Sequence, residues 1–143
     1  MIYEQEPENF INKHEIVSCF CECDGEILFL LRADHKTEPN KWGPPAGKVN
    51  ENETILAAIK REVMEETGQE LGLKNFAHQK KLFVRYPDYD FVYHVFKIEL
   101  TKKPKIKISS EHKKYIWVDP KVPKKLDYVL GQDIVNKLFY KFN

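Results

Sequence analysis

The amino-acid sequence predicts an α+β domain, in which a β-sheet is layered against helices. Stretches rich in β-branched and aromatic residues recur along the chain, whereas two other stretches carry apolar residues at helical spacing. The 143 residues are enough to bury a substantial hydrophobic core. Because no internal repeat, linker or low-complexity stretch divides them, we expect residues 1–143 to form a single domain.

The N-terminal part of the sequence predicts a β-hairpin that follows a polar segment at residues 1–14. β-branched and aromatic residues dominate residues 15–23 and 26–31, as is typical of strands. Between them, Asp24-Gly25 is a dipeptide typical of two-residue hairpin turns. Residues 32–41 are polar and predict a loop of about ten residues, which is long enough to suggest a functional role.

A helix is predicted between residues 54 and 68. Good helix formers fill this stretch, Thr54 or Asn52 can cap its start, and Gly68 lies where a left-handed residue commonly ends a helix. At about 100° per residue, the first half of the helix carries an apolar stripe. Farther along the helix, the same stripe is continued by three carboxylates, Glu62, Glu65 and Glu66.

The rest of the sequence predicts three more strands and a second helix. A loop or short strand is expected at residues 70–79, and a lysine-rich, mobile connection at residues 101–110. Residues 127–139 carry apolar residues at helical spacing and predict a C-terminal helix. The strands are predicted at residues 80–85, 89–100 and 115–118.

The overall charge argues against nucleic-acid polymers and membrane surfaces as partners. The chain has 23 Lys and Arg and 22 Asp and Glu residues, so its formal net charge is only +1 at pH 7. It has no apolar run long enough to span a bilayer and no signal-peptide pattern at Met1. We therefore expect a cytoplasmic protein.

The three cysteines, Cys19, Cys21 and Cys23, alternate along a predicted strand, so all three should lie on one face of it. Neighbours on one face of a strand are poorly placed to form a disulfide bond, and the odd count argues against a disulfide framework. A metal cluster is a second interpretation, but no later Cys or paired His completes a ligand set. We expect three buried, reduced thiols.

The three carboxylates on the predicted helix have two interpretations. The simpler is a solvated, glutamate-rich face of a surface helix, because runs of charge usually face water. The other is a metal site, since clustered carboxylates that point toward a core repel one another unless a cation compensates them. Arg61 can supply part of that compensation, and a hard divalent cation, which prefers oxygen ligands, can supply the rest.

Around this helix the sequence runs glycine, five residues, glutamate, seven residues, Arg-Glu, an aliphatic residue, any residue, Glu-Glu, any residue, glycine. This spacing resembles the Nudix box of the MutT/Nudix hydrolases. Two positions depart from the family's usual residues: Gln69 replaces an aliphatic residue, and Ala46 replaces a glycine whose carbonyl helps to bind metal. The matching positions are Gly47, Glu53, Arg61, Glu62, Val63, Glu65, Glu66 and Gly68.

The resemblance implies a Nudix-like α/β/α sandwich, in which a mixed β-sheet lies between helices and the box helix lies at the edge of the sheet. It also implies Mg²⁺ as the cofactor, with Mn²⁺ as a substitute. Glu62 would either ligate the metal or accept the proton from water. The other metal ligands would be Glu65, Glu66 and the carbonyl of Ala46.

The resemblance implies roles for three further residues. Arg61 would orient Glu65 or Glu53 through a charge-assisted hydrogen bond. Glu53 would be mainly structural; the alternative is a capping residue in the first turn, where the helix dipole favours anions. MutT-like members place another glutamate six residues before a tryptophan, and here Glu111 precedes Trp117 by that spacing. Glu111 would then be a metal ligand or general base, or otherwise a solvated loop acid.

Six residues are candidates for contacts with a substrate. Arginine and lysine favour phosphate groups, and an aromatic face can stack on a base. A tryptophan is more often a core residue than a stacking platform, so Trp42 is a weaker candidate than the others. The candidates are Arg32, Trp42, Lys48, Arg85, Tyr86 and Tyr89.

Together these features predict a Mg²⁺-dependent pyrophosphohydrolase that acts on a nucleoside diphosphate linked to another moiety. A nucleoside triphosphate, cleaved to a monophosphate and pyrophosphate, is the leading substrate. Alternatives are a dinucleoside polyphosphate or a nucleotide sugar as substrate, or a non-catalytic module that senses nucleotides. The expected partner is thus a small-molecule nucleotide, and the protein is expected to be a monomer or homodimer.

Overall fold

The computed structural model describes residues 1–122 and 125–141, and within them the chain forms an eight-stranded sheet and two α-helices. No helix in this part of the chain is long and apolar enough to cross a membrane. The helices are α1 (Ile55–Thr67) and α2 (Gln132–Phe139), and a 3₁₀ turn covers Leu73–Asn75. The strands are β1 (Ile2–Tyr3), β2 (Asn12–Cys23), β3 (Glu26–Arg32), β4 (Trp42–Gly43), β5 (Ala46–Lys48), β6 (Ala77–Arg85), β7 (Asp90–Leu100) and β8 (His112–Val118).

The sheet is mixed, which confirms the predicted fold class. Its central strands, β2 and β7, run parallel from the pair Asn12–Asp90 to the pair Cys23–Leu100. The other strand pairs are antiparallel. The strand order is β1-β6-β7-β2-β3-β4, with β5 beside β2 and β8 beside β3.

Helix α1 covers one face of the sheet and α2 covers the other. Successive strand residues point to opposite faces, so Cys19 and Cys21 contact the α1 layer whereas Phe20 contacts the α2 layer. The resemblance implied that the α1 helix lies at the edge of the sheet, but the structure differs on this point. The helix lies across a face, because its apolar stripe is buried over the central strands through Ala58, Ile59 and Val63.

A divergence between β2 and β3 determines where the candidate site lies. These strands pair only at their hairpin end, where Glu22 faces Ile27. The earlier part of β2 pairs instead with the short strand β5, where Val17 faces Gly47. Because β7 occupies the other edge of β2, strand β5 fills the opening and brings Ala46 and Gly47 beside α1.

The hairpin turn and α1 lie at the predicted residues. Asp24 (φ 52°) and Gly25 (φ 78°) are both left-handed, as a two-residue type I′ turn requires. Thr54 caps α1, and its hydroxyl accepts a hydrogen bond from the Ala57 N–H at 3.1 Å. Gly68 ends the helix in the left-handed conformation, with φ 78°.

Two segments that were predicted to lack structure are held against the rest of the chain. In the N-terminal segment, Ile2–Tyr3 pair with β6, and the N-terminal amine donates to the Arg85 carbonyl at 2.7 Å. In the predicted mobile connection, Ile106 is buried and the Lys107 N–H donates to the Thr67 carbonyl at 2.8 Å. Backbone contacts and isolated apolar side chains leave no periodic pattern, which explains why the sequence did not indicate them.

Four elements start three or more residues away from the predicted position. Strands β2, β6 and β8 each start three residues early, whereas α2 starts at Gln132, five residues late. The late start of α2 has a clear cause. Tyr128 forms a β-bridge with Trp42, so the backbone just before α2 is used in pairing.

Candidate active site

The carboxylate stripe of α1 is largely buried. Glu62 and Glu66 retain only 8% and 4% of their exposure, whereas the Glu65 side chain is 50% exposed. The interpretation as a solvated face therefore applies to Glu65 alone. Two carboxyl groups buried side by side lose hydration and repel each other, so the surrounding structure must compensate them.

Arg61 provides most of that compensation. Its guanidinium forms a bidentate pair with Glu53, with N···O distances of 2.8 and 2.9 Å. It also lies 2.7 Å from Glu62 and 3.3 Å from Glu65, and it donates to the Lys48 carbonyl at 3.0 Å. The structure thus brings Arg61 to both of its predicted partners. It adds Glu62, which the sequence analysis had not paired with Arg61.

Glu53 acts as a fixed anion behind Arg61. The hydrogen bonds from Arg61 hold the pKa of Glu53 at about 2, although desolvation opposes this shift. The Asn50 N–H also donates to the Glu53 carboxylate, at 3.0 Å. In return, the hydrogen bonds with Glu53 raise the pKa of Arg61 above its ordinary value. Glu53 thus holds the Arg61 guanidinium in place.

Strand β5 supplies the surface against which the buried glutamates rest. The Ala46 N–H donates to the Glu66 carboxyl at 3.1 Å. A Cβ atom at Gly47 would lie 2.2 Å from the Glu62 carboxyl, so a side chain there would displace this carboxyl from its present position. Ala46 is not among the described residues with a positive φ, so alanine is accommodated at this departure from the family pattern without strain.

The buried carboxyl pair is electrostatically unfavourable without a cation. Burial raises the pKa of Glu66 well above its ordinary value, and the neighbouring Glu62 carboxyl raises it further. The Ala46 N–H opposes this rise, whereas the charge of Glu111 adds to it. Glu111 is therefore within electrostatic reach of the pair. A divalent cation beside these groups would favour their charged forms.

The segment before β8 runs along the end of α1 and leads to Glu111. The Lys107 N–H bonds the Thr67 carbonyl at 2.8 Å, and the Gln69 side chain donates to the Lys105 carbonyl, also at 2.8 Å. This anchoring places Glu111 only four residues beyond the contact with α1. Gln69, which departs from the family pattern, thus makes a polar contact where an aliphatic residue usually packs.

Glu111 has a partner that the sequence analysis missed. The Lys36 ammonium lies 2.8 Å from the Glu111 carboxylate, and this contact keeps the pKa of Glu111 below its ordinary value. The Ala33 N–H also donates to the Glu111 carbonyl, at 2.9 Å. Lys36 belongs to the loop between β3 and β4, 75 residues from Glu111. No local pattern links residues so far apart, so only the fold reveals the pair.

The chemistry of these donors suits a hard divalent cation. In the ranges 1–122 and 125–141, no three acidic, histidine or cysteine side chains already stand together in position to hold a metal. Mg²⁺, however, needs only one or two carboxylates, because it keeps several waters and takes substrate oxygens. The buried pair of Glu62 and Glu66, beside the half-exposed Glu65, meets that requirement.

Three substrate candidates lie near the loop between β3 and β4 or on β5. Arg32 binds Thr37 through its Nε and Nη2 atoms, at 2.6 and 2.9 Å, and so shapes that loop. Trp42 packs half-buried in the α2 layer, and its described contacts are structural. The Lys48 side chain is exposed and lines a polar cleft next to Glu53, so it is the most accessible of these three residues.

Two other candidates lie near the turn between β6 and β7. Arg85 forms a bidentate ion pair with Asp90, at 2.9 and 3.1 Å, which occupies its guanidinium in a structural contact. Tyr86 is half-buried, and burial raises its pKa to about 12. It lines an apolar cleft between β7 and the start of α2, with Tyr93 and Gln132.

Tyr89, the last candidate, lies at the outer side of the same aromatic group. Its ring lies 5.7 Å from the Tyr86 ring and 5.6 Å from the His14 ring. Its side chain remains partly exposed. The structure therefore brings Tyr86 and Tyr89 together, whereas the guanidinium of Arg85 is occupied by its ion pair with Asp90.

Comparison with known proteins identifies the class. A family profile described as the NUDIX domain matches residues 12–137 of this chain. The match includes β5, α1 and the residues around Glu111, which form the site described above. The chain therefore belongs to the NUDIX family and is a Nudix hydrolase.

Individual relatives agree with this assignment. Nucleoside triphosphatase NudI from Escherichia coli O17:K52:H18 is 27% identical over 127 residues, covering 77% of this chain and 84% of the relative. A MutT NUDIX hydrolase from Burkholderia pseudomallei has a similar structure, with a TM-score of 0.74 at 20% identity, covering 89% and 98% of the two chains. A bifunctional NMN adenylyltransferase/ADP ribose pyrophosphatase from Francisella tularensis, complexed with AMP and a manganese ion, gives a TM-score of 0.60 at 25% identity, covering 78% and 35%.

Proposed function

We propose that this Nudix hydrolase is a Mg²⁺-dependent pyrophosphohydrolase that cleaves the diphosphate linkage of a nucleoside diphosphate joined to another moiety. The observation that carries this proposal is the buried carboxyl pair of Glu62 and Glu66, held between Gly47 and Arg61. Strongly perturbed, desolvated carboxyls are concentrated at functional sites. A fold that only needed stability would place apolar side chains there instead.

In this proposal the buried and exposed parts of the stripe have different roles. Arg61 keeps Glu62 oriented through its 2.7 Å contact, and Glu53 keeps Arg61 in place. An incoming cation would be held by the carboxylates of Glu62, Glu65 and Glu66 and by the carbonyl of Ala46. The metal, once bound, would neutralise phosphate charge, polarise a phosphoryl oxygen and lower the pKa of a bound water.

Glu111 is the candidate for the second side of the site. Its charge acts on Glu66, and the segment that precedes it is fastened to the end of α1. It would serve as a further metal ligand or accept the proton of the attacking water, a role that Glu62 can also fill. The F. tularensis neighbour is complexed with a manganese ion, which supports Mn²⁺ as a substitute for Mg²⁺.

For the substrate we propose a nucleoside triphosphate, cleaved to a nucleoside monophosphate and pyrophosphate. The similarity to nucleoside triphosphatase NudI supports this choice. The apolar cleft lined by Tyr86 and Tyr93 offers aromatic surface, which suits stacking of a nucleobase. Lys48, whose side chain is exposed, and Arg32 are the proposed phosphate contacts.

A metal-dependent substrate screen tests the proposal. Nucleoside triphosphates, dinucleoside polyphosphates and nucleotide sugars would be incubated with the purified protein, and released pyrophosphate and phosphate products would be quantified. We expect pyrophosphate from a nucleoside triphosphate, loss of activity with a chelator, and recovery with Mg²⁺ or Mn²⁺. Preferred release from another substrate class would correct the substrate, and cleavage that resists the chelator would overturn the whole proposal.

A further inference from the structure

The ion pair between Lys36 and Glu111 links two loops that border the candidate site. Their Nζ and Oε1 atoms are 2.8 Å apart. The hydrogen bond from the Ala33 N–H to the Glu111 carbonyl joins the same two loops, and an ion pair of 2.6 Å between Asp34 and Lys113 joins the first loop to the start of β8. Lys36 thus belongs to a docked loop, which holds the ammonium in place against the carboxylate.

We propose that Lys36 is a positioning residue that competes with the divalent cation for the Glu111 carboxylate. Lys36 holds Glu111 in the metal-free protein, and the cation must displace the ammonium before Glu111 can turn to it. The inference rests on the proposed function, in which Glu111 faces the metal.

The charges around Glu111 explain why such a partner is needed. Without a cation, the Glu111 carboxylate brings its negative charge within electrostatic reach of the buried carboxyl pair of Glu62 and Glu66. The ammonium of Lys36 neutralises that charge locally. Once a divalent cation is bound, the same ammonium becomes a like charge beside it, and repulsion favours separation of Lys36 from the carboxylate.

The strength of the ion pair also suits an exchange of partners. The side chains of Lys36 and Glu111 are 31% and 43% exposed, so water screens their attraction. Exposed ion pairs of this kind are worth little, and removing such a competitor should change metal affinity by about two- to fivefold. The pair is therefore strong enough to orient Glu111 but weak enough to be broken by a metal ion.

The test measures metal binding directly, without turnover. Mn²⁺ would be titrated into the nucleotide-free protein, and free Mn²⁺ would be followed by electron paramagnetic resonance. We expect Lys36→Met to lower the Mn²⁺ dissociation constant by about two- to fivefold. Lys36→Arg keeps a cation that can pair with Glu111, so it should stay close to the wild-type value. An unchanged or higher dissociation constant for Lys36→Met would overturn the proposal.

Lys113→Met is the matched control. Lys113 lies at the start of β8, two residues after Glu111; its side chain is 34% exposed, and its ion pair goes to Asp34 rather than to Glu111. Removing this charge should leave Mn²⁺ affinity at the wild-type value. If Lys113→Met tightened Mn²⁺ binding as much as Lys36→Met, the change in net charge would explain both results, and the proposed competition for Glu111 would be overturned.

A double-mutant cycle separates this inference from the proposed function. In a Glu111→Gln background, Lys36→Met should no longer change Mn²⁺ affinity, because the carboxylate for which both cations compete is gone. A persisting effect would show that Lys36 acts elsewhere and would overturn the inference alone. A wild-type protein that neither binds Mn²⁺ nor shows metal-dependent cleavage would overturn both proposals. Circular dichroism of each variant would verify that it is folded.

Discussion

The Glu62 carboxyl rests directly on the backbone of Gly47, so that a Cβ atom at position 47 would lie only 2.2 Å from it. Arg61 holds the same carboxyl from the other side, at 2.7 Å. Gly47 does not have a positive φ, so this glycine is required for close approach and not for a left-handed turn. The orientation of a proposed metal ligand thus depends on the absence of a single methyl group.

Gly47→Ala should therefore damage the site more than the fold. The added methyl group must displace Glu62 or shift β5, and overpacking of this kind costs about 1–3 kcal/mol of unfolding free energy. A displacement of about 1 Å in a reacting group can lower turnover by about 100-fold. Steady-state kinetics and urea denaturation would measure the two effects.

Gly72→Ala is the matched control for this substitution. A Cβ atom at Gly72 would meet only the Asn75 side chain, at 3.5 Å, and Gly72 has an ordinary backbone conformation. We expect kcat and the urea midpoint of Gly72→Ala to match the wild type. Wild-type turnover of Gly47→Ala would show that Glu62 does not need its present position.

Glu66→Gln should abolish most turnover while the protein stays folded. The amide keeps the shape of the side chain but removes the charge that a divalent cation requires. Since burial raises the pKa of Glu66, its charged form is disfavoured in the metal-free fold. The Tm of the variant in a chelator should thus equal or exceed the wild-type Tm, and added Mg²⁺ should raise it less. Near-normal turnover would refute the metal-binding role of Glu66.

The pair of Arg61 and Glu53 should make stability depend on pH in the acid range. The pKa of Glu53 is about 2 in the folded chain, compared with an ordinary value of 4.5. The unfolded chain therefore binds this proton more readily, so the contribution of the pair is complete above pH 4.5 and is lost as the pH falls toward 2.

Glu53→Gln tests this dependence, because the variant lacks the contribution at every pH. The unfolding free energies of wild type and variant should differ at about pH 6 and approach each other near about pH 3. Urea denaturation at several pH values would measure both curves. A constant difference across this range would contradict a titrating Glu53.

The box pattern located the carboxylates, but their burial had to be seen in the structure. Spacing on one helix places Glu62 and Glu66 on a common stripe, and this inference is local. Whether that stripe faces water depends on β5, which arrives through pairing with β2 and is specified by no helical period. The choice between a solvated face and a compensated cluster was therefore open until the sheet was known.

Long-range polar contacts limited prediction in the same way. Lys36 and Glu111 are 75 residues apart, and neither has a neighbouring pattern that marks its partner. The predicted start of α2 was wrong for a related reason. Val129 and Leu130 continue the apolar spacing of the helix, but the Val129 N–H bonds the Trp42 carbonyl at 2.9 Å, so tertiary pairing overrides the local preference.

Arg85 is the substrate candidate whose structural surroundings differ most from its predicted role. Asp90 receives two hydrogen bonds from its guanidinium and a third from the Ile11 N–H, at 2.8 Å. The Arg85 backbone also pairs with Met1. These contacts fasten the N-terminal segment to the turn between β6 and β7.

Arg85→Gln should thus lower Tm and loosen residues 1–11, which hydrogen exchange would detect, while KM for the nucleotide stays within about twofold of wild type. Lys48→Gln, which removes an exposed side chain without ion-pair partners in the described residues, should show the reverse: an unchanged Tm and a higher KM. A large rise in KM for Arg85→Gln with an unchanged Tm would restore Arg85 as a phosphate contact.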